Sequence, residues 1–143
     1  MRILIVDDDP QHVRALAQLL RAALDAHVDL VDSVADAVEH LHTYTYDVVV
    51  TDIFIPLGDA PRDKLGPRAR RYAEGLRHLG GLVLLDELDR VQPAPKVLAH
   101  TACTDFELIE VMGERVDARV PKPAAAEVLL RAVIEALGLP TPG

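Results

Sequence analysis

Short apolar blocks alternate along this chain with longer segments of helical period, and this alternation constrains the fold more than any other feature. Five blocks have the composition of buried strands: Ile3–Val6, Val28–Val31, Val48–Val50, Lys96–His100 and Ala118–Val120. Their largely continuous apolar runs are typical of strands buried on both faces of a parallel sheet. Strands that alternate with helices imply right-handed crossovers, which place helices on both sides of such a sheet. The sequence therefore predicts an α/β fold with a doubly wound, five-stranded parallel sheet.

The segments between the strands carry helix signals. Asp9 and Ser33 stand where N-caps are expected, and Thr104–Glu107 has the capping-box pattern. A third helix is predicted over Gly81–Leu88 and a final amphipathic helix over Ala124–Leu137. Five strands and five helices of this size predict a flavodoxin-like (βα)5 arrangement.

Composition limits the class of protein. The chain has 143 residues, half of them hydrophobic, which suits one globular domain over 1–138 and a short tail over 139–143. A net charge of -8 and 3% aromatic residues argue against direct nucleic-acid binding. No apolar run approaches the roughly 20 residues that span a bilayer, so no membrane association is expected. The single cysteine, Cys103, excludes an internal disulfide and favours a cytoplasmic location.

Charged and polar side chains follow four of the predicted strands where each strand ends. They are Asp7, Asp8 and Asp9 after the first strand, Asp52 after the third, Thr101 after the fourth and Lys122 after the fifth. In open α/β sheets, ligands bind beyond the carboxyl ends of the strands, so we expect these side chains to share one rim. Crowded carboxylates resist ionisation unless a cation is near, and their oxygens suit Mg²⁺ or Mn²⁺. A carboxylate can also act as a nucleophile that forms an acyl phosphate.

Four sequence blocks carry a resemblance to a known family. They are ILIVDDDP at 3–10, VVVTDIFIP at 48–56, VLAHTA at 97–102 and VPKP at 120–123. Together and in this order, they resemble the signature blocks of the response-regulator receiver domains of two-component signalling, in the CheY-like superfamily. The resemblance implies that the chain is a phosphoprotein of a phosphorelay. It implies no enzymatic activity beyond the chain's own phosphorylation and dephosphorylation.

The resemblance also implies roles for the residues in these blocks. Asp52 would be the phosphoacceptor, and Asp8 and Asp52 would bind Mg²⁺ or Mn²⁺ directly, together with the backbone carbonyl of Phe54. Asp7 would act on the metal mainly through water. Thr101 would hydrogen-bond the phosphoryl oxygens, and Lys122, aimed by a cis bond to its proline, would pair with them.

The family further implies partners. The phosphoryl donor would be a histidine kinase or a histidine phosphotransfer protein. Because no second domain is evident after the last helix, we expect stand-alone signalling through contact with an output protein that the sequence does not name. A homodimer through the last helix and strand is a further option.

The first departure from the family pattern is a basic insertion over 57–80, before the third helix. Asp52 and Thr101 stand 49 positions apart, which is longer than is usual in the family. The insertion holds six of the 15 basic residues: Arg62, Lys64, Arg68, Arg70, Arg71 and Arg77. It is interpreted as a docking element for an acidic or phosphorylated partner, as a lid over the site, or as a solvated extension whose arginines face water. Asp86, Glu87 and Asp89, on the helix that follows, are expected to form a solvated face.

The second departure is Arg119, which occupies the switch position where the family has Tyr or Phe three residues before the lysine. A guanidinium does not bury as a ring does, so the usual aromatic coupling is in doubt. Arg119 would either sense phosphorylation through a salt bridge or be a surface residue without a switch role.

Two other functions are compatible with parts of the sequence. One is a phosphorylation-independent interaction module on the same fold, which Arg119 and the insertion would favour. The other is a phosphatase of the haloacid-dehalogenase type, because Asp7 and Asp9 form the Asp-x-Asp pair that such enzymes place after the first strand. Loss of turnover in Asp7→Asn but not in Asp52→Asn would favour the phosphatase.

Overall fold

In the computed structural model, residues 1–58, 66–68, 79–113 and 115–140 are described. Within these ranges the strands are β1 (Arg2–Val6), β2 (His27–Val31), β3 (Val48–Thr51), β4 (Lys96–Thr101) and β5 (Ala118–Pro121). The helices are α1 (Pro10–Leu24), α2 (Val34–Thr43), α3 (Gly80–Leu88), α4 (Phe106–Gly113) and α5 (Ala126–Leu137). Each predicted strand is present, extended by one residue at most at either end.

All strands pair in parallel in one sheet of order β2-β1-β3-β4-β5. The order reverses at β1, so the sheet is doubly wound, as the sequence predicts. The register pairs Val6 with Thr51, Thr51 with Ala99, and Thr101 with Pro121. The carboxyl ends of the four strands β1, β3, β4 and β5 therefore open onto one rim.

The core consists of two apolar layers, one on each face of the sheet. Successive strand residues point to opposite faces, so Leu4 and Val6 pack under α2, α3 and α4, while Ile3 and Ile5 pack under α1 and α5. Each of these four side chains is almost fully buried, which is why β1 is apolar throughout. No helix of the described residues is long and apolar enough for a membrane span.

The helix ends confirm the predicted cap at Ser33 and correct another, while Asp9 stands at the N-cap position of α1 without a capping bond from its side chain. Ser33 Oγ accepts a hydrogen bond from the Asp36 amide at 3.2 Å, as expected of an N-cap. At α4, however, the capping-box prediction for Thr104 is wrong by one residue. The carboxylate of Asp105 accepts from the Leu108 amide at 3.2 Å, and the helix begins at Phe106. A carboxylate that reaches the third helical amide at this position makes Asp105 the cap.

The last helix also begins later than predicted. Ala125 has extended backbone angles (φ -67°, ψ 151°) and stands as the N-cap, so α5 begins at Ala126. Gly138 ends the helix in the left-handed region with φ 70°, as the sequence predicts.

The start of α3 lies against the segment that follows β3. The amides of Gly80 and Gly81 donate to the carbonyls of Ile55 and Ile53, both at 3.0 Å. A Cβ on Gly81 would lie 2.4 Å from the Ile53 Cα and 2.7 Å from the Asp52 carbonyl oxygen. Only glycine fits here, so this packing holds the chain just after Asp52 in place.

One expected solvated face is partly buried. Asp86 is only 6% exposed, and its carboxylate forms an ion pair with Arg68 at 2.9 Å. The prediction that Asp86 faces water is therefore wrong. The same contact shows that the Arg68 guanidinium does not simply face water. Most of the basic insertion, over 59–65 and 69–78, lies outside the described residues, and the interpretations of its other basic side chains remain predictions.

Candidate functional site

The four polar positions predicted at strand ends meet at the carboxyl rim of the sheet. Asp7 follows β1, Asp52 follows β3, Thr101 ends β4, and Lys122 follows β5. Backbone hydrogen bonds of the kind found between parallel strands continue one residue past the strand ends and fix the backbone at two of these residues. The Asp52 amide donates to the Val6 carbonyl at 3.1 Å, and the Lys122 amide donates to the Thr101 carbonyl at 3.0 Å.

Lys122 links two of the carboxylates. Its Nζ lies 2.8 Å from Asp52 Oδ2 and 2.9 Å from Asp7 Oδ2. Burial lowers the pKa of Lys122, but the hydrogen bonds with Asp52 and Asp7 raise it by more, so the net shift is upward. The contact with Asp7 is one that sequence reasoning missed. The order of the strands, which places β1 beside β3, was the only feature that could have indicated this contact.

Three carboxylates lie close enough to share a cation. One oxygen each of Asp7, Asp8 and Asp52 lies within 4.8 Å of the others. Asp7 and Asp52 are each 5% exposed, whereas Asp8 is exposed. Although the residue is exposed, partial removal of its carboxylate from water raises the pKa of Asp8, and the nearby charges of Asp7 and Asp52 raise it further. A hard cation relieves such repulsion, and an all-oxygen donor set is what Mg²⁺ and Mn²⁺ bind, so these residues fit the implied metal.

The carboxylate of Asp52 is hydrogen-bonded on both oxygens. Its Oδ1 accepts from the Phe54 amide at 3.2 Å, and its Oδ2 accepts from Lys122. The Thr101 side chain lies near this carboxylate and also favours its charged form. Burial raises the pKa of Asp52, but Lys122, Thr101 and the Phe54 amide together lower it below its ordinary value. Asp52 is therefore a buried, ionised carboxylate at neutral pH.

The loop after β4 connects the site to α4. The Cys103 amide donates to Thr101 Oγ1 at 3.3 Å, so the hydroxyl that lies near Asp52 also holds the loop. Two residues further on, Asp105 caps α4. A change at the Thr101 hydroxyl can therefore reach the start of α4 through four residues.

Arg119 lies away from the carboxylates. It is an exposed residue of β5 and lines a groove of about 260 Å³ between β5 and α4. Apolar side chains of α4 and of its following loop, Ile109, Met112 and Val116, line the same groove. Because residue 119 is an arginine, the groove has no aromatic side chain from this position.

The bond between Lys122 and Pro123 is cis, as the resemblance implies.

Asp9 stands apart from the acidic cluster: it is exposed, and its amide donates to Asp7 Oδ1 at 2.9 Å. The Asp7-x-Asp9 pair therefore does not present two carboxylates to one site.

Comparison with known proteins points to one family. The model of the response regulator receiver domain matches residues 3–59. This stretch includes β1 to β3 with Asp7, Asp8, Asp52 and Phe54, whereas Thr101 and Lys122 lie beyond it. No curated protein matches the sequence significantly.

Solved receiver domains share the fold along nearly the whole chain. The non-phosphorylated HemR receiver domain from Leptospira biflexa is similar with a TM-score of 0.72 and 20% identity, over 99% of this chain and 98% of that one. A CheY-like receiver domain protein from Methanospirillum hungatei has a TM-score of 0.73 and 21% identity, over 96% and 93% of the two chains. A LuxR-family DNA-binding response regulator from Staphylococcus aureus has a TM-score of 0.72 and 22% identity, over 95% and 98%. At these identities the likeness shows a CheY-like, flavodoxin-type fold.

Proposed function

We propose that this receiver domain of the response-regulator type accepts a phosphoryl group on the carboxylate of Asp52, in a reaction that requires a divalent metal. The observation that carries the proposal is the position of Asp52. Among the residues that the structure describes, Asp52 is the carboxylate of the three-carboxylate cluster that binds Lys122 and whose charge Thr101 also stabilises.

In the proposed reaction, the Asp52 carboxylate attacks the phosphorus atom of the donor as a nucleophile. A carboxylate oxygen forms the new P–O bond, and the bond between phosphorus and the donor's leaving atom breaks, with its electron pair departing on the leaving group. The low pKa of Asp52 keeps it in the carboxylate form that attacks. Since the transition state is loose, catalysis consists mainly of positioning and charge neutralisation.

Mg²⁺ or Mn²⁺, when bound, supplies positive charge to the phosphoryl oxygens and holds them in place. Asp7, Asp8, Asp52 and the backbone carbonyl of Phe54 are the groups proposed to hold it. The structure supports the first three by their proximity. Phe54 is supported by the hydrogen bond that its amide donates to Asp52 Oδ1, which brings its backbone to the site.

Lys122 and Thr101 are proposed to bind the phosphoryl group once it is attached to Asp52. As the acyl phosphate forms, the Asp52 carboxylate loses its charge, so Lys122 exchanges that partner for the phosphoryl oxygens while it keeps Asp7. Thr101 Oγ1 lies at the same carboxylate and can donate to a phosphoryl oxygen. Movement of the Thr101 side chain toward the phosphoryl group would reorient the hydrogen bond that its Oγ1 accepts from the Cys103 amide, and so move the loop before α4.

The proposed phosphoryl donor is a histidine kinase or a histidine phosphotransfer protein, and the output is contact with another protein, including a second copy of this chain. The chain would catalyse only its own phosphorylation and dephosphorylation. The cytoplasmic location inferred from the lone cysteine stays a prediction.

The test is reaction of the full chain with acetyl phosphate with and without Mg²⁺, followed by intact mass. We expect one acid-labile phosphoryl adduct that requires Mg²⁺ and is absent in Asp52→Asn. Asp8→Asn should slow adduct formation at least tenfold by weakening metal binding, while Asp32→Asn is the matched control outside the cluster. An adduct that forms equally well in Asp52→Asn would contradict the proposal.

A phosphorylation-independent interaction module is the second candidate, and exposed Arg119 favours it. Such a module would bind its partner equally well as wild type and as Asp52→Asn, with and without phosphodonor. The haloacid-dehalogenase alternative has no support in the site, because Asp9 is exposed and lies outside the cluster.

A further inference from the structure

Arg68, in the basic insertion, joins the ends of two helices. Its guanidinium lies 2.9 Å from Asp86 and 2.7 Å from Asp89, at the C-terminal end of α3. Its Nε donates to the carbonyl of Val111 in the last turn of α4, at 3.4 Å. The Arg68 side chain is only 14% exposed and that of Asp86 5%, so their ion pair is largely shielded from water, whereas Asp89 is 43% exposed.

The carbonyl of Val111 is open to this contact because α4 ends there. In a longer helix the amide of Arg115 would donate to Val111, but it donates instead to the Met112 carbonyl at 3.1 Å. Arg68 therefore supplies a cationic donor to the C-terminal end of α4, where the helix dipole favours positive charge.

Two neighbouring contacts show that this arrangement is built into the packing. Gly66 lies so close to α3 that a Cβ at this position would be 2.5 Å from the Asp86 Cγ. Asp89 also pairs with Arg115, just after α4, at 3.5 Å. Asp89 is thus shared by Arg68 and Arg115, and the ends of α3 and α4 are tied together through one ionic cluster.

The helix that Arg68 holds is otherwise weakly packed. α4 has eight residues, of which Leu108 and Met112 are buried. The groove of about 260 Å³ beside Arg119 lies against Met112. A short helix that buries few side chains and borders an open groove can shift at low cost, so the contacts of Arg68 matter for its position.

The other end of α4 is connected to the acceptor through Thr101, Cys103 and Asp105. We propose that Arg68 is a positioning residue that holds the C-terminal end of α4 against α3 and thereby opposes the rearrangement of α4 that phosphorylation of Asp52 favours. This inference rests on the proposed function. By linkage, a contact made only in the unphosphorylated arrangement makes phosphorylation less favourable by the same factor.

The test is hydrogen–deuterium exchange of the full chain, measured with Mg²⁺ and with or without acetyl phosphate, in wild type and Arg68→Gln. We expect Arg68→Gln without phosphodonor to show faster exchange over 106–116, close to that of the phosphorylated wild type. The acetyl phosphate concentration that half-phosphorylates the chain should fall about fivefold. Arg90→Gln is the matched control, because it removes an exposed arginine that pairs with Glu87 near the same end of α3.

If Arg68→Gln does not fold, Asp89→Asn removes the partner shared with Arg115 and leaves Asp86 in place. Unchanged exchange over 106–116 in a folded variant would overturn the inference, as would faster exchange with no change in the acetyl phosphate requirement. Failure of the proposed function is distinguishable, since the wild type would then form no adduct, whereas exchange without phosphodonor still reports on the Arg68 contacts.

Discussion

At the scale of single residues, Lys122 does the most to make the acidic site compatible with a folded chain. It neutralises part of the charge of Asp7 and Asp52, both buried, through bonds of 2.9 and 2.8 Å. Without it, three carboxylates would face one another with no cation, and the folded state would carry their repulsion.

Lys122→Met should therefore lower the free energy of unfolding by about 3 kcal/mol in the absence of divalent metal, because it leaves buried carboxylates unpaired. Urea unfolding measures the loss. Added Mg²⁺ should raise the unfolding midpoint more in this variant than in the wild type. Lys96→Met serves as the control, since Lys96 pairs with Asp117 on the surface at 4.0 Å. Equal stability of wild type and Lys122→Met would contradict this view of the site.

A second residue prediction concerns Tyr46 at the opposite end of the sheet. Burial raises the pKa of its hydroxyl, and the hydrogen bond that it donates to Asp29 raises it further. The folded state thus favours the neutral phenol. This contribution is complete below the unfolded pKa of about 10 and is lost as pH rises through the folded value.

Stability should therefore fall as pH rises above about 10, and by less in Tyr46→Phe. The difference between the ultraviolet titrations of wild type and Tyr46→Phe isolates this hydroxyl. We expect it to ionise above the ordinary tyrosine value, together with unfolding. Ionisation near pH 10 with the fold intact would contradict the prediction.

At the scale of elements, the contact between the start of α3 and the loop after β3 leaves the least room for a side chain. Gly81→Ala should destabilise the chain by about 2 kcal/mol, because its Cβ would meet backbone at Ile53 and Asp52 that cannot move freely. Gly113→Ala is the control, since no atom lies within 4 Å of a Cβ there. Thermal unfolding compares the two, and an equal effect of both substitutions would refute the close-packing argument.

Helices and strands could be predicted where the residues of the segment itself determine its structure, and not where a contact from elsewhere in the chain decides it. Buried strands such as Val48–Thr51 were predictable, because apolar, β-branched residues leave little alternative. The start of α4 was displaced by one residue, since Thr104 and Asp105 both offer a capping oxygen and only the path of the loop selects between them. The burial of Asp86 could not be foreseen, because its partner Arg68 comes from outside the helix.

At the scale of the whole molecule, sheet order turns separate sequence blocks into one site. Asp7, Asp52, Thr101 and Lys122 converge because β1, β3, β4 and β5 are neighbours in a parallel sheet. This convergence was predictable from the alternation of strands and helices and from the resemblance to a family. The bridge from Arg68 to α4 was not, since it depends on contacts between residues that are far apart in the sequence and carry no local signal.

The central claim is that Asp52 is the phosphoacceptor. The most direct measurement is to phosphorylate the full chain with acetyl phosphate and Mg²⁺, reduce the acyl phosphate with borohydride, and locate the reduced residue by peptide mass spectrometry. The account predicts reduction at Asp52 alone and none in Asp52→Asn. Reduction at Asp7 or Asp8 in the wild type, with Asp52 unmodified, would contradict it.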